Sequence, residues 1–186
     1  MYSGSRKSRR TTTKWCLDRN LFHSACAKLN IRPNIDLFAS RINYQIKPYI
    51  SYSPDPEIIP INAFHHSWQG YQFYAFPTFC LISQVLQKIQ KEKSEELVII
   101  PKWPTKSWWP VAMRMLMQSP IILPRTTSTI FLPSNPSEKH PLHEKLVPIM
   151  CHLSGNSSKT EGFRQQQQKS WNLHLELLGE SIMRDI

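Results

Sequence analysis

The residues best placed to do chemistry are Phe76-Pro77-Thr78-Phe79, a rigid turn following the apolar run Phe73-Tyr74-Ala75. A ligand is expected at this turn, because small molecules gather beyond the carboxyl ends of parallel strands. Asp36 stands alone as a charge in Ile35-Asp36-Leu37-Phe38-Ala39-Ser40. A carboxylate in a buried strand needs a ligand or a partner, and a capping or turn role near the strand start would serve equally. Residues 101–110 hold three tryptophans, three prolines and two lysines. Trp103, Trp108 and Trp109 beside Lys102 and Lys106 could stack single-stranded bases, or they could anchor the segment over a sheet. His65 and His66 are adjacent and have no third ligand at metal spacing, so no metal site is predicted.

These residues need a frame to position them, and the 73–101 stretch supplies its centre. Leu81, Ile82, Val85, Leu86 and Ile89 recur at helical spacing, with Ser83, Gln84, Gln87, Lys88 and Lys91 opposite. Leu97-Val98-Ile99-Ile100 follows as a strand, so the unit reads as strand, crossover helix and parallel strand. Upstream, Asp18 caps a helix over about 18–30 with Leu21, Phe22, Ala25, Cys26 and Leu29 on one face. Residues 41–60, with Pro48, Pro54, Pro56 and Pro60, read as a long edge loop holding a short strand at 49–52. Downstream, Ser107 or Thr105 caps a helix reaching about Met117, and short β-runs follow at 121–123 and 129–132. Leu146, Val147, Ile149, Met150 and Leu153 suggest a short helix ending at Gly155, and Ser158 would cap a last helix through the glutamine run. The expected organisation is a basic disordered tail over 1–14, an α/β domain over 15–133, and a linker with a helical extension over 134–186.

Lys and Arg number 23 against 13 acids, a formal charge of +10 on 186 residues. Such a balance favours a polyanion partner, nucleic acid first, and Arg6, Lys7, Arg9 and Arg10 would contact phosphates without sequence preference. The four cysteines are scattered and are expected to be reduced. With no apolar run of membrane-spanning length and no signal-peptide core, the chain is expected to be intracellular, cytoplasmic or nuclear, with no membrane partner. Five glycines against fifteen prolines leave no glycine-rich phosphate loop.

Several blocks, in order, resemble one segment of DIRS-type retrotransposon polyproteins: Asp36-Leu37-Phe38-Ala39-Ser40-Arg41-Ile42-Asn43, Asn62-Ala63-Phe64, Ser67-Trp68-Gln69-Gly70, Phe73 to Phe79, and Ile100-Pro101-Lys102-Trp103-Pro104. That segment lies between reverse transcriptase/RNase H and a tyrosine recombinase and is similar to phage-type DNA N6-adenine methyltransferases. The match covers roughly residues 15–155. The residues before it resemble the end of RNase H, and those from Ser154 to Trp171 resemble a spacer toward the recombinase. The resemblance implies a Rossmann-like, mostly parallel sheet with S-adenosylmethionine at its strand ends near Asp36, Phe38 and Ala39. It implies nucleic acid, and other domains of the polyprotein, as partners. It also sets Phe76-Pro77-Thr78-Phe79 on the Asn/Asp-Pro-Pro-Tyr/Phe catalytic turn, where an acidic or amide side chain and a carbonyl accept hydrogen bonds from the adenine amine while the aromatic ring stacks on the flipped base. Pro77 and Phe79 keep that pattern. Phe76 replaces the acceptor, Thr78 the second proline, and phenylalanine accepts no such bond. Three functions follow: a catalytically degenerate methyltransferase-like domain that binds nucleic acid, an active adenine methyltransferase relying on backbone carbonyls and Phe79, or a non-catalytic connector in the polyprotein.

Overall fold

The computed structural model describes residues 15–51 and 62–184. The expected tail with Arg6, Lys7, Arg9 and Arg10 lies outside these residues, as does the part of the expected edge loop from 52 to 60.

The central unit forms as expected. Strand β4 (Gln72–Ala75) passes through a 3₁₀ turn (Phe79–Leu81) into helix α2 (Ile82–Glu92), and the chain returns as strand β5 (Glu95–Pro101). β4 and β5 pair in parallel, with Gln72 opposite Glu95 and Ala75 opposite Val98. Ile82, Val85, Leu86 and Ile89 of α2 are all buried, each burial stabilising the fold by about 1.5–3 kcal/mol. The helix stops at Lys93, whose left-handed backbone (φ 53°) lets its N–H close on the Ile89 carbonyl.

Around this unit stands a six-stranded, mostly parallel sheet in the order β3-β2-β4-β5-β8-β6. Its other members are β2 (Ile35–Leu37), β3 (Tyr49–Ile50), β6 (Ile121–Ile122) and β8 (Pro148–Ser154). β3, β2, β4 and β5 run parallel, and β8 is antiparallel to both β5 and β6. Alternation along the strands divides the core in two. Phe73, Ala75, Val98, Ile100, Ile149 and Cys151 meet α2 and the short helix α3 (Trp109–Arg114), with Trp68 fully enclosed among them. Tyr74, Leu97, Ile99 and Met150 face the opposite way, onto helix α1 (Arg19–Leu29) and a two-stranded ribbon of β1 (Cys16–Leu17) and β7 (Ile130–Phe131). Because both faces are covered, β5 reads from Leu97 to Pro101 as an unbroken apolar run rather than an alternating one. α1 has its expected cap, the Asp18 carboxylate accepting the Leu21 N–H at 3.0 Å.

Five expectations need correction. Residues 146–153 are not a helix. Pro148 cannot sit in a helix interior but opens a strand without loss, and the seven residues of β8 pair with all of β5, from Pro148 opposite Pro101 to Ser154 opposite Glu95. The sheet therefore continues past residue 133, and the segment after it is not a loosely tied linker. α3 ends at Arg114, short of Met117, because the next residues bond to β8: Met117 donates to the His152 carbonyl and Leu116 bridges Leu153. Neither Ser107 nor Thr105 caps α3, which has no side-chain cap bond. The final helix α4 (Ser157–Arg184) is capped not by Ser158 but by Asn156, whose Oδ1 accepts the Ser158 N–H at 3.1 Å.

Candidate functional site

Leu37 of β2 is the register partner of Ala75 of β4, so the chain leaves both strands side by side. From β2 it turns outward to β3. From β4 it goes the opposite way, through α2 to β5. Two neighbouring parallel strands whose connections diverge leave a crevice between them at their carboxyl ends. Phe38-Ala39-Ser40, after β2, would form one lip of such a crevice and Phe76-Pro77-Thr78-Phe79, after β4, the other. The two candidate segments, 38 residues apart in sequence, thus come together.

The lips are rigid. Phe38 adopts a left-handed backbone (φ 66°), unfavourable for a residue with a bulky Cβ substituent. Its ring offsets the cost by packing at 5.3 Å on Phe64 and 6.3 Å on Trp68, centroid to centroid. Ala39 and Ser40 are buried, and Asn43 Oδ1 accepts both the Ser40 N–H at 2.8 Å and its hydroxyl at 2.7 Å. On the other lip Pro77 is buried and Thr78 exposed.

Asp36 lies elsewhere. It pairs with Tyr74 across the strands and is only 2% exposed, beneath the loop that connects β2 to β3. Its Oδ2 accepts the Gln45 N–H at 2.6 Å. Burial pushes the carboxyl up to about 8, against the opposing pull of the Gln45 and Ile46 amides. The partner that the sequence demanded is therefore a backbone turn. Tyr74, fully enclosed beside it, has a hydroxyl without a hydrogen-bond partner.

The structure separates the tryptophans. Trp103 is half-buried and meets Phe79 edge-on at 5.0 Å, and the exposed Lys106 places its ammonium 5.9 Å from the Trp103 centroid. Lys102 is exposed beside them. Trp108, in contrast, is 8% exposed and belongs to the core under α3, which corrects its expected place among base-stacking residues. Two contributors escaped the sequence analysis. His140 packs 6.0 Å from Phe79 and 4.6 Å from Trp15, extending Phe79 and Trp103 into a half-buried aromatic shelf. Burial, then the neighbouring His143, lowers the His140 imidazole below its ordinary range, so it is neutral at pH 7. No local pattern announces a contact between residues 61 and 125 positions apart.

The crevice's chemistry follows from its residue types. Phe76 offers no side-chain acceptor, leaving the Thr78 hydroxyl and the main-chain carbonyls at the turn. S-adenosylmethionine requires acceptors for its ribose hydroxyls and its amines. The described segments after β2, β4 and β5 (residues 38–48, 76–81 and 102–108) contain no Asp or Glu. Asp36 is committed to Gln45 and Ser40 to Asn43. Among the described residues, these segments offer that cofactor no carboxylate. Among the described residues no group of three His, Cys, Asp or Glu side chains could hold a metal ion, and no helix is long and apolar enough to cross a membrane. All four cysteines are unpaired. Compared with protein families, curated proteins and solved structures, the chain matches none.

Proposed function

We propose that this chain is a methyltransferase-like domain of a retroelement polyprotein that no longer transfers methyl groups and instead holds nucleic acid. One observation carries the reading: the connections from β2 and β4 diverge, which opens a crevice at Phe76-Pro77-Thr78-Phe79, the turn that resembles the catalytic one. The Rossmann-like character of the sheet rests on the same feature. Phe76 removes the acceptor that would hold an adenine amine, and among the described residues the segments after β2, β4 and β5 offer no carboxylate for a cofactor ribose. What remains is an aromatic and basic surface. Phe79 and Trp103 offer ring surface, with Lys102 and Lys106 alongside for phosphates, on a chain of formal charge +10.

Titration calorimetry of the full chain with S-adenosylmethionine tests the loss of function. No heat and no thermal shift are expected. Stoichiometric binding together with methyl transfer to an adenine-containing duplex would overturn the degenerate reading in favour of an active adenine methyltransferase, whereas a Phe76→Asn variant that gains methyl transfer would support the lost acceptor. Retroelement origin has a separate check. Intact relatives of the locus should carry reverse transcriptase sequence upstream and a tyrosine recombinase downstream, and consistent absence of both would remove that part of the proposal.

A further inference from the structure

A cavity of about 580 Å³ opens between the last turn of α1, residues 117–121 and the face of α4 at 163–170. It lies at the end of the sheet away from the crevice, beside Glu95 at the start of β5 rather than beyond its carboxyl end. That volume falls in the range of pockets that hold small organic ligands, about 300–1,000 Å³. Its wall is mixed: Phe163 supplies a half-buried ring, and Gln118, Gln166 and Gln167 supply carboxamides. Among the described lining residues Lys28 is the one charged side chain. The α4 side is tied down, since Lys159 donates to Glu95 Oε2 at 2.7 Å and Phe163 packs against the core.

Gln118 is held by a chain of hydrogen bonds running into the protein. Its Nε2 lies 3.0 Å from the Leu29 carbonyl and 3.2 Å from Nδ1 of the buried His152. A carbonyl only accepts, so the atom facing Leu29 is the amide nitrogen, and Nδ1 is then the unprotonated ring nitrogen. His152 Nε2 consequently carries the hydrogen and donates to Glu95 Oε1 at 2.9 Å. Burial, opposed by Glu95, holds the imidazole below its ordinary range, in line with this neutral tautomer. Both amide hydrogens of Gln118 are thereby committed, and Oε1 is the atom left to a ligand. The acceptor is already fixed, so a donor arriving there bears no cost of ordering it.

An acceptor held this way selects an N–H donor. The glutamines beside it both accept and donate, which matches the amine and ring nitrogen on the edge of a nucleobase. The Phe163 ring offers a surface for a flat base. A purely apolar ligand would leave the carboxamides unpaired. A wall with one lysine and no carboxylate suits a neutral body with an anionic end.

We infer that this cavity binds a free mononucleotide whose base carries an exocyclic amine, with the amine on Gln118 Oε1, the ring against Phe163 and the phosphate toward Lys28. The site is separate from the Phe76–Phe79 crevice and does not depend on the crevice holding a strand.

Titration calorimetry of the full chain with AMP, CMP, IMP and UMP tests the site. AMP and CMP should bind at least about tenfold more tightly than IMP and UMP, in which a carbonyl replaces the amine and meets Oε1 acceptor to acceptor. Gln118→Leu should weaken AMP and CMP about tenfold and erase the preference. Lys28→Gln, at an exposed position, should weaken AMP roughly threefold and leave adenosine unchanged. Thermal melting verifies folding, and the wild-type preference together with Lys28→Gln decides the matter should Gln118→Leu unfold. Equal affinity for AMP and IMP, no binding of either, or unchanged AMP binding by folded Gln118→Leu would overturn the inference. AMP binding lost in Trp103→Ala but kept in Gln118→Leu would put the nucleotide in the crevice and end the second site. Failure of single-strand binding while the AMP preference holds would remove the crevice reading alone.

Discussion

The Asp36 carboxyl group and the Gln45 backbone amide, nine residues apart in the chain, meet at 2.6 Å under the loop that leaves β2. The carboxyl is titrated by burial rather than by a neighbouring charge, and that fixes the sign of its effect on stability. Its value rises to about 8 in the fold from 3.8 in an exposed chain. The folded state therefore holds a proton that the unfolded chain has released, and stability falls as pH climbs from about 4 to about 8. Asp36→Asn keeps an acceptor for Gln45 and removes the titration. Urea unfolding between pH 5 and pH 9 should show a flatter profile for the variant than for wild type. The difference should reach a few kcal/mol at the alkaline end, at about 1.4 kcal/mol per pKa unit. Parallel profiles would mean that Asp36 stays charged in the fold.

Trp108 and Trp103 are five residues apart and should behave oppositely. Trp108 sits in the core with Ala112, Met115 and Leu116, so Trp108→Ala should cost about 3–5 kcal/mol in thermal or urea unfolding. Trp103 is half-buried on the Phe79 ring. Its truncation should cost clearly less stability while reducing single-strand binding, read by anisotropy. A Trp108→Phe protein that folds and loses binding would return Trp108 to the surface role that its sequence suggested.

Gly155 joins β8 to α4 where no side chain fits. A Cβ built there would overlap the carbonyl oxygen of Ile89 at the end of α2, while the Gly155 N–H donates to the Ser94 carbonyl at 2.9 Å. Backbone on both sides leaves no flexible atom to yield. Gly155→Ala should therefore destabilise the fold by about 1–3 kcal/mol or more, whereas Gly162→Ala on α4, with open space around it, should be neutral or slightly stabilising. Equal melting temperatures for the two variants would contradict the packing.

The parts of the fold legible in the sequence are those set by local periodicity. The α2 stripe, the Asp18 cap and the parallel pair β4 and β5 come from residues within about one helical turn of each other or from one crossover unit. β8 is illegible because Val147 to Cys151 is apolar on both sides, a pattern shared by buried helices and buried strands. Only the long edge of β5, supplied from elsewhere in the chain, decides between them. The crevice was half legible. Its two lips carry recognisable residue types, but Asp36, inside β2 and outside the lips, holds the Gln45 amide of a turn, since burial depth cannot be read from neighbours in sequence. Trp15 and His140 join the shelf through tertiary packing alone.

The seven rungs between β5 and β8 carry a consequence for any shortened form of this protein. A chain ending near residue 133 would keep the central crossover yet leave one whole flank of β5 bare, a straight ledge of open amides and carbonyls running Glu95–Pro101. Copies lacking β8 would find that ledge in one another and stack into insoluble ribbons. The last fifty-odd residues thus serve as the sheet's lock against its own kind.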